Sequence, residues 1–241
     1  MTHRLPFSTH ASKQALHARW RRFALLCLVL LASVSTVCVH GQATAKPDLV
    51  SELRHGGLVL FVRHLNTEPD QADTDPWHLD HVEAQRQLTP EGRERAAALG
   101  AALRALGIPI ERVLSSQFKR ALDTAQLLAV GPVSGSLDLS EGGLVVSPRE
   151  NQRRAAALKA LLGSTPRAGQ NLLIVSHRPN LQEAAGKELG DLAEGEIAVF
   201  RPLGDSRFQL LGRAPADEWL RWANTPYKAT GGVPRPKSAQ P

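Results

Sequence analysis

Two short, strongly apolar runs stand out from the mixed pattern of the chain: Gly57 to Val62, and Asn171 to Ser176. Runs of this length, rich in Val, Leu and Ile, read as strands buried on both faces of an α/β sheet. The first strand is placed at Gly57 to His64 and a second at Arg112 to Ser116. The strand Asn171 to His177 follows, with two late strands at Glu196 to Pro202 and Phe208 to Leu211 around a turn at Gly204-Asp205. Ser136 to Glu141 is a further candidate strand.

Helical periodicity fills the spaces between. Thr89-Pro90 starts a helix, since Thr caps well and Pro suits the first position. Leu99, Leu103 and Leu106 then give it one apolar face, and Gly107 ends it. Phe118 to Leu128, Pro148 to Gly163, Asn180 to Leu189 and Asp217 to Asn224 follow as helices, with Trp219 and Trp222 stapling the last one to the body. Alternation of strand and helix predicts a three-layer α/β/α sandwich around a mostly parallel sheet. The polar segment Leu65 to Leu88 is long for a loop inside a domain, and loops of that length are usually functional or poorly ordered.

The N-terminus has a different pattern. Arg4, Lys13, Arg19, Arg21 and Arg22 precede the apolar stretch Phe23 to Val39, which is followed by the small residues around Ala43 and Ala45. This predicts an export signal over residues 1–43, a linker over 44–55 with a turn or two of helix from Val50, one domain over 56–224, and a disordered tail over 225–241. The alternative is an uncleaved anchor, because the apolar stretch sits at the lower limit for spanning a bilayer. The mature chain has no membrane span in the first reading.

Charge and cysteines narrow the chemistry. The formal net charge is +6, but five of the 29 basic residues lie in the leader, leaving 24 against 23 acidic ones. A nearly neutral body gives no support for nucleic-acid binding. Both cysteines, Cys27 and Cys38, are in the leader. The mature chain therefore has no disulfide, thiol nucleophile or cysteine metal site.

The candidate chemistry is at the strand ends. Arg63-His64 ends the first strand and His177 ends the Asn171 strand, where open α/β sheets bind ligands. Arg120 lies in the first turn of a helix that follows a strand, a place that favours an anion. Two imidazoles and two guanidinium forks make a pocket for a phosphoryl group. Other features are weaker. His78, Asp80 and His81 could bind a metal, but their spacing fits no standard site and a solvated loop is the plainer reading.

Val62-Arg63-His64, Leu88-Thr89-Pro90-Glu91-Gly92, Leu114-Ser115-Ser116 with Arg120-Ala121 and Thr124-Ala125, and Val175-Ser176-His177 together resemble the histidine phosphatase (phosphoglycerate mutase-like) superfamily, over roughly Gly57 to Pro202. The resemblance implies a phosphoglycerate mutase-like fold. It implies His64 as the nucleophile that becomes phosphohistidine, Arg63 and Arg120 as the clamp on the phosphoryl oxygens, and His177 as a donor to them. No metal or cofactor is implied. The proton donor is Glu194 or, as the rival, Glu141. Asn66, Thr67 and Asn180 are candidate substrate contacts. Leu65 stands where the commonest members have Gly, Gln117 where they have Pro, and Arg178-Pro179 follows the second histidine, departures that bear on the substrate.

The resulting expectation is an exported, periplasmic or secreted, metal-independent phosphomonoesterase acting on a small phosphorylated substrate, possibly a sugar phosphate. The alternatives are a non-catalytic phosphate-ligand-binding module on the same fold and a phosphomutase. If the leader acts as read, the exported protein recovered from a cell envelope fraction begins near Ala43 or Ala45. Mass spectrometry of the purified chain checks this, and an intact Met1 in the cytoplasm refutes it.

Overall fold

The computed structural model describes residues 46–142 and 146–225. The leader 1–43 and residues 226–241 of the expected tail lie outside the described residues. Six strands form one sheet in the order β3-β2-β4-β1-β5-β6. They are β1 (Val59–Arg63), β2 (Ile110–Ser116), β3 (Val133–Ser136), β4 (Asn171–Ser176), β5 (Ile197–Gly204) and β6 (Arg207–Ala214). β1 to β4 are mutually parallel; β5 runs antiparallel to β1 and to β6. This is the mixed α/β, phosphoglycerate mutase-like architecture.

The central strands are buried on both sides, so alternate residues feed two separate cores. Leu60, Val62, Leu173, Val175 and Val199 face one way. There they meet α1 (Lys46–His55), α2 (Pro90–Ala105), α3 (Lys119–Leu128) and α6 (Ala216–Asn224). Val59, Phe61, Ile174, Ala198 and Phe200 face the other way, against α4 (Pro148–Leu162) and α5 (Arg178–Ala185). Trp219 is fully buried and packs on Trp222 at 4.8 Å, so α6 is fastened as its indoles predict.

Local signals account for the boundaries. The Thr89 hydroxyl accepts from Gly92 N at 2.9 Å and Pro90 opens α2; Ser147 and Pro148 do the same for α4. Gly107 leaves α2 at φ +69°, and the β5–β6 hairpin turns through Asp205 and Ser206, both with positive φ. α2 and α3 approach so closely that a Cβ on Gly100 would run into the Leu128 carbonyl oxygen.

Two stretches differ from the sequence reading. Residues 44–55 are not a linker with a final turn: from Lys46 they are helix, and Leu49, Val50 and Leu53 are buried in the core. A helix of barely three turns shows too few apolar repeats to be recognised alone, and burial supplies its stability. The strand expected at Ser136 to Glu141 lies earlier, at Val133–Ser136. There the Ser136 side chain accepts from Asp138 N and turns the chain into a 3-10 turn over Leu137–Leu139. The competition of a serine hydroxyl with ladder bonds explains the early end.

The contact at Gly100 makes a prediction. Gly100→Ala adds a methyl against backbone that cannot yield without separating α2 from α3. A loss of about 1–3 kcal/mol is expected, despite alanine's better helix propensity. Urea unfolding monitored by circular dichroism checks it; a neutral or stabilised variant refutes the close approach.

Candidate active site

The parallel strands β1, β4 and β2 end side by side, and Arg63 is in register with Ser176. β1 therefore delivers Arg63 and His64 beside the His177 that follows β4. Because β5 is antiparallel, its start lies at this same end, and the turn carrying Glu194 is bonded there: Gly195 N donates to the carbonyl oxygens of Arg63 and His64 at 3.0 and 3.1 Å. α3 and α5 both begin here, the latter with His177 as its N-cap. The four residues Arg63, His64, Arg120 and His177 are thus brought together as the motifs predict.

The two imidazole rings lie 5.3 Å apart, and both residues are buried. His64 Nδ1 is 2.9 Å from the Leu65 carbonyl oxygen. A carbonyl only accepts, so Nδ1 carries the proton and Nε2 keeps its lone pair. Burial holds His64 well below the ordinary imidazole range, reinforced by His177 and Arg120. Burial does the same for His177, followed by the charges of Arg120, Arg86 and Arg63. His177 Nε2 meets the Ser116 hydroxyl at 2.8 Å, while its Nδ1 is buried without a hydrogen-bond partner, 3.4 Å from Glu141 Oε1. Phe118 packs edge-on to His177, and its face lies under the Arg120 guanidinium, 4.4 Å from ring centroid to Cζ.

The arginines are held by carboxylates. Arg120 is fully buried; its Nη1 donates to Asp73 Oδ1 at 2.9 Å and its Nη2 to Glu141, while Nε has no partner. Arg63 donates to the Leu192 carbonyl at 2.8 Å and to Glu194 at 3.3 Å. Glu194 is otherwise gripped by Thr67, through the hydroxyl at 2.9 Å and the backbone N–H at 3.3 Å, and lies 3.9 Å from His64 Nδ1. Both rival acids are therefore in the site, on opposite flanks: Glu194 with Arg63 and His64, Glu141 with Arg120 and His177.

The expected substrate contacts are placed unevenly. Thr67 uses both its donors on Glu194, and so orients that carboxylate. Asn66 and Asn180 each keep a buried side-chain oxygen without a partner; Asn180 gives its amide to the Ser140 carbonyl at 3.2 Å. Asp73 and Arg86 were not singled out from the sequence. Both lie in the long loop; only the fold carries Asp73 to Arg120 in α3, with the Arg86 N–H donating to the same carboxylate oxygen, and no local motif marks them. Asp75, not Asp80, joins the two loop histidines: His78 and His81 turn their Nδ1 atoms onto its carboxylate at 2.9 and 2.8 Å. These three groups are close enough to hold a metal ion, and they are solvent-facing.

The depressed affinity of both buried imidazoles for protons makes a prediction. Free histidine, with a pKa near 6.5, is more than half protonated at about pH 6. His64 and His177 are expected to stay neutral there, which heteronuclear NMR titration of the imidazole nitrogens reads directly. The sign for stability follows: below about pH 6.5 the unfolded chain binds these protons and the folded one does not, so acidification destabilises. Two imidazoles titrating at 6.5 or above would refute the burial argument.

Residues 59–143 match the family model described as histidine phosphatase superfamily (branch 1). No curated protein matches. Solved structures similar to this chain include the protein histidine phosphatase SixA complexed with tungstate, at 20% identity over 67% of this chain and 98% of that one, TM-score 0.46. A putative alpha-ribazole-5'-P phosphatase from Escherichia coli is 18% identical over 64% and 94%, TM-score 0.47. A mycobacterial glucosyl-3-phosphoglycerate phosphatase with inorganic phosphate is 18% identical over 67% and 99%, TM-score 0.48. The matched stretch contains Arg63, His64 and Arg120 and is similar to the histidine phosphatase superfamily; His177 lies beyond it, after β4.

Proposed function

We propose that this protein is an exported, metal-independent phosphomonoesterase that works through a phosphohistidine on His64. The observation that carries the reading is the bond from His64 Nδ1 to the Leu65 carbonyl, which leaves a neutral imidazole with Nε2 as a nucleophile. A module that only bound phosphate would have no use for that lone pair. The basic and apolar leader supports export.

In this reading the phosphoryl group takes the place of carboxylates on Arg120, whose Nε already lacks a partner. Arg63 and Arg120 then neutralise its oxygens and His177 hydrogen-bonds to them, the chief demand of phosphoryl transfer. Nε2 of His64 attacks phosphorus while the ester P–O bond breaks and the leaving oxygen takes a proton from a carboxylic acid. Water then attacks the phosphohistidine, gives its proton to that carboxylate, and the P–N bond breaks to release inorganic phosphate. Transfer to a second hydroxyl instead of water would make the protein a mutase.

The distances favour Glu141 over Glu194 as the acid. Glu194 lies on the Nδ1 side of His64, and the ring sends Nδ1 and Nε2 in divergent directions. In-line displacement puts the leaving group across phosphorus from Nε2, away from Glu194. Glu141 sits instead on the Arg120 and His177 flank. Glu194, held by Thr67 and Arg63, orients the clamp.

Kinetics on p-nitrophenyl phosphate and on an alkyl phosphate test the assignment. His64→Ala is expected to lose several powers of ten in kcat, and rapid quench of the unaltered enzyme to trap an acid-labile, base-stable phosphate. Arg120→Lys keeps charge but loses the fork, with a marked loss expected. Glu141→Gln should impair the alkyl ester, whose leaving group needs a proton, far more than the nitrophenyl ester. A fully active His64→Ala overturns the nucleophile; equal losses on both esters overturn the acid.

A further inference from the structure

Asp75, His78 and His81 follow one another at intervals of three on the long loop, and successive turns gather them together. The His78 N–H bonds the Asp75 carbonyl at 3.4 Å, and the His81 N–H bonds the His78 carbonyl at 3.0 Å. The two rings stand 5.2 Å apart between centroids. Both Nδ1 atoms meet one carboxylate: His78 Nδ1 lies 2.9 Å from each Asp75 oxygen, and His81 Nδ1 lies 2.8 Å from Oδ2. One donor atom from each residue falls within 4.8 Å of the others.

Other contacts fix the backbone that presents them. Thr74 N donates to the Ala84 carbonyl at 2.8 Å and Arg86 N to Asp73 Oδ1 at 2.9 Å, closing the loop at its neck. Buried Gln85 ties that neck to Lys119 N at the start of α3 and to the Leu79 carbonyl, both at 2.7 Å. Exposed ion pairs add little to stability, and this loop is closed without them. The side chains of His78 and His81 remain 63% and 52% exposed, so an ion can reach the donors from solvent. Two imidazoles and a carboxylate are the donor set that zinc and its neighbours among the divalent transition metals take. Calcium and magnesium prefer oxygen ligands throughout.

We propose that Asp75, His78 and His81 form a binding site for a divalent transition-metal ion of the zinc class. The two Nδ1 atoms and one Asp75 oxygen hold it, and water completes the coordination. Ligand atoms on one tetrahedral zinc lie about 3.3 Å apart, so the present contacts need open by only a few tenths of an ångström. The ion takes both Nδ1 lone pairs, and each ring keeps one proton, on Nε2. Its role is structural: it cross-links the turns of the loop on their solvent side, whereas Asp73, two residues before the first ligand, turns to Arg120.

Calorimetric titration of the full chain with zinc chloride, after removal of metal by a chelator, tests the site. The unaltered chain is expected to bind zinc with a saturable component. His78→Ala, His81→Ala and Asp75→Asn should each weaken that component at least by the roughly 10- to 100-fold that losing even an outer partner of a metal ligand costs. His55→Ala, at an exposed histidine outside the cluster, should leave it unchanged. Both ligand histidines are on the surface, and circular dichroism checks that their variants are folded. Heteronuclear NMR should show zinc shifting Nδ1 of His78 and His81 while Nε2 stays protonated. Zinc affinity equal in all variants overturns the site, placing the ion on the leader histidines or on His64 and His177. Ligation through Nε2 overturns the ligand set. Calcium or magnesium bound more tightly than zinc overturns the ion class. No saturable zinc binding by the unaltered chain overturns the proposal outright.

Discussion

A guanidinium sealed from solvent organises this molecule. Arg120 is fully buried, and a buried charge must be paired: stranding one by removing its partner costs about 3–5 kcal/mol. The partners it takes are Asp73, from the long loop after β1, and Glu141, from the segment after β3. One side chain at the start of α3 therefore draws in two stretches that no regular secondary structure would hold. Phe118 supports the guanidinium from beneath and His177 from the side, so the arginine, the second histidine and an aromatic ring form one packed unit.

The same burial sets the state of the histidines. Burial, with the neighbouring cations, holds both rings well below the ordinary imidazole range, and the Leu65 carbonyl selects the His64 tautomer. Thr124 ties this arrangement to α3, accepting from Leu65 N at 3.1 Å and donating to the Arg120 carbonyl at 2.8 Å. Leu65, where the common members of the superfamily have Gly, is itself fully buried and lies against Gly195. That turn carries Glu194. The departure from the usual motif is thus accommodated in the core, beneath the site and not in its opening.

The pocket carries excess positive charge held apart by geometry. Its three carboxylates are each attached to particular donors, Glu194 to Arg63 and Asp73 and Glu141 to Arg120. A phosphate dianion entering such a site competes for guanidinium forks that are already occupied, and gains most where a donor lies idle, at Arg120 Nε.

Much of this was legible in the sequence, because the relevant signals are local. Val59 to Val62 and Leu172 to Val175 are apolar throughout because both faces of a central strand are buried, and a histidine at the end of such a run has to emerge at the ligand-binding edge. Thr89-Pro90, Gly107 and Gly204-Asp205 announce their turns through side-chain capping and backbone freedom, which need no neighbours. The remainder was decided by tertiary contact. Lys46–His55 is a helix because its few leucines and valine find a core to enter, not because ten residues would hold together alone. Thr67 turned to Glu194, Asp75 displaced Asp80 beside the histidines, and Asp73 met Arg120 across 47 residues. A carboxylate chooses its partner by distance and desolvation, quantities that exist only once the chain has folded.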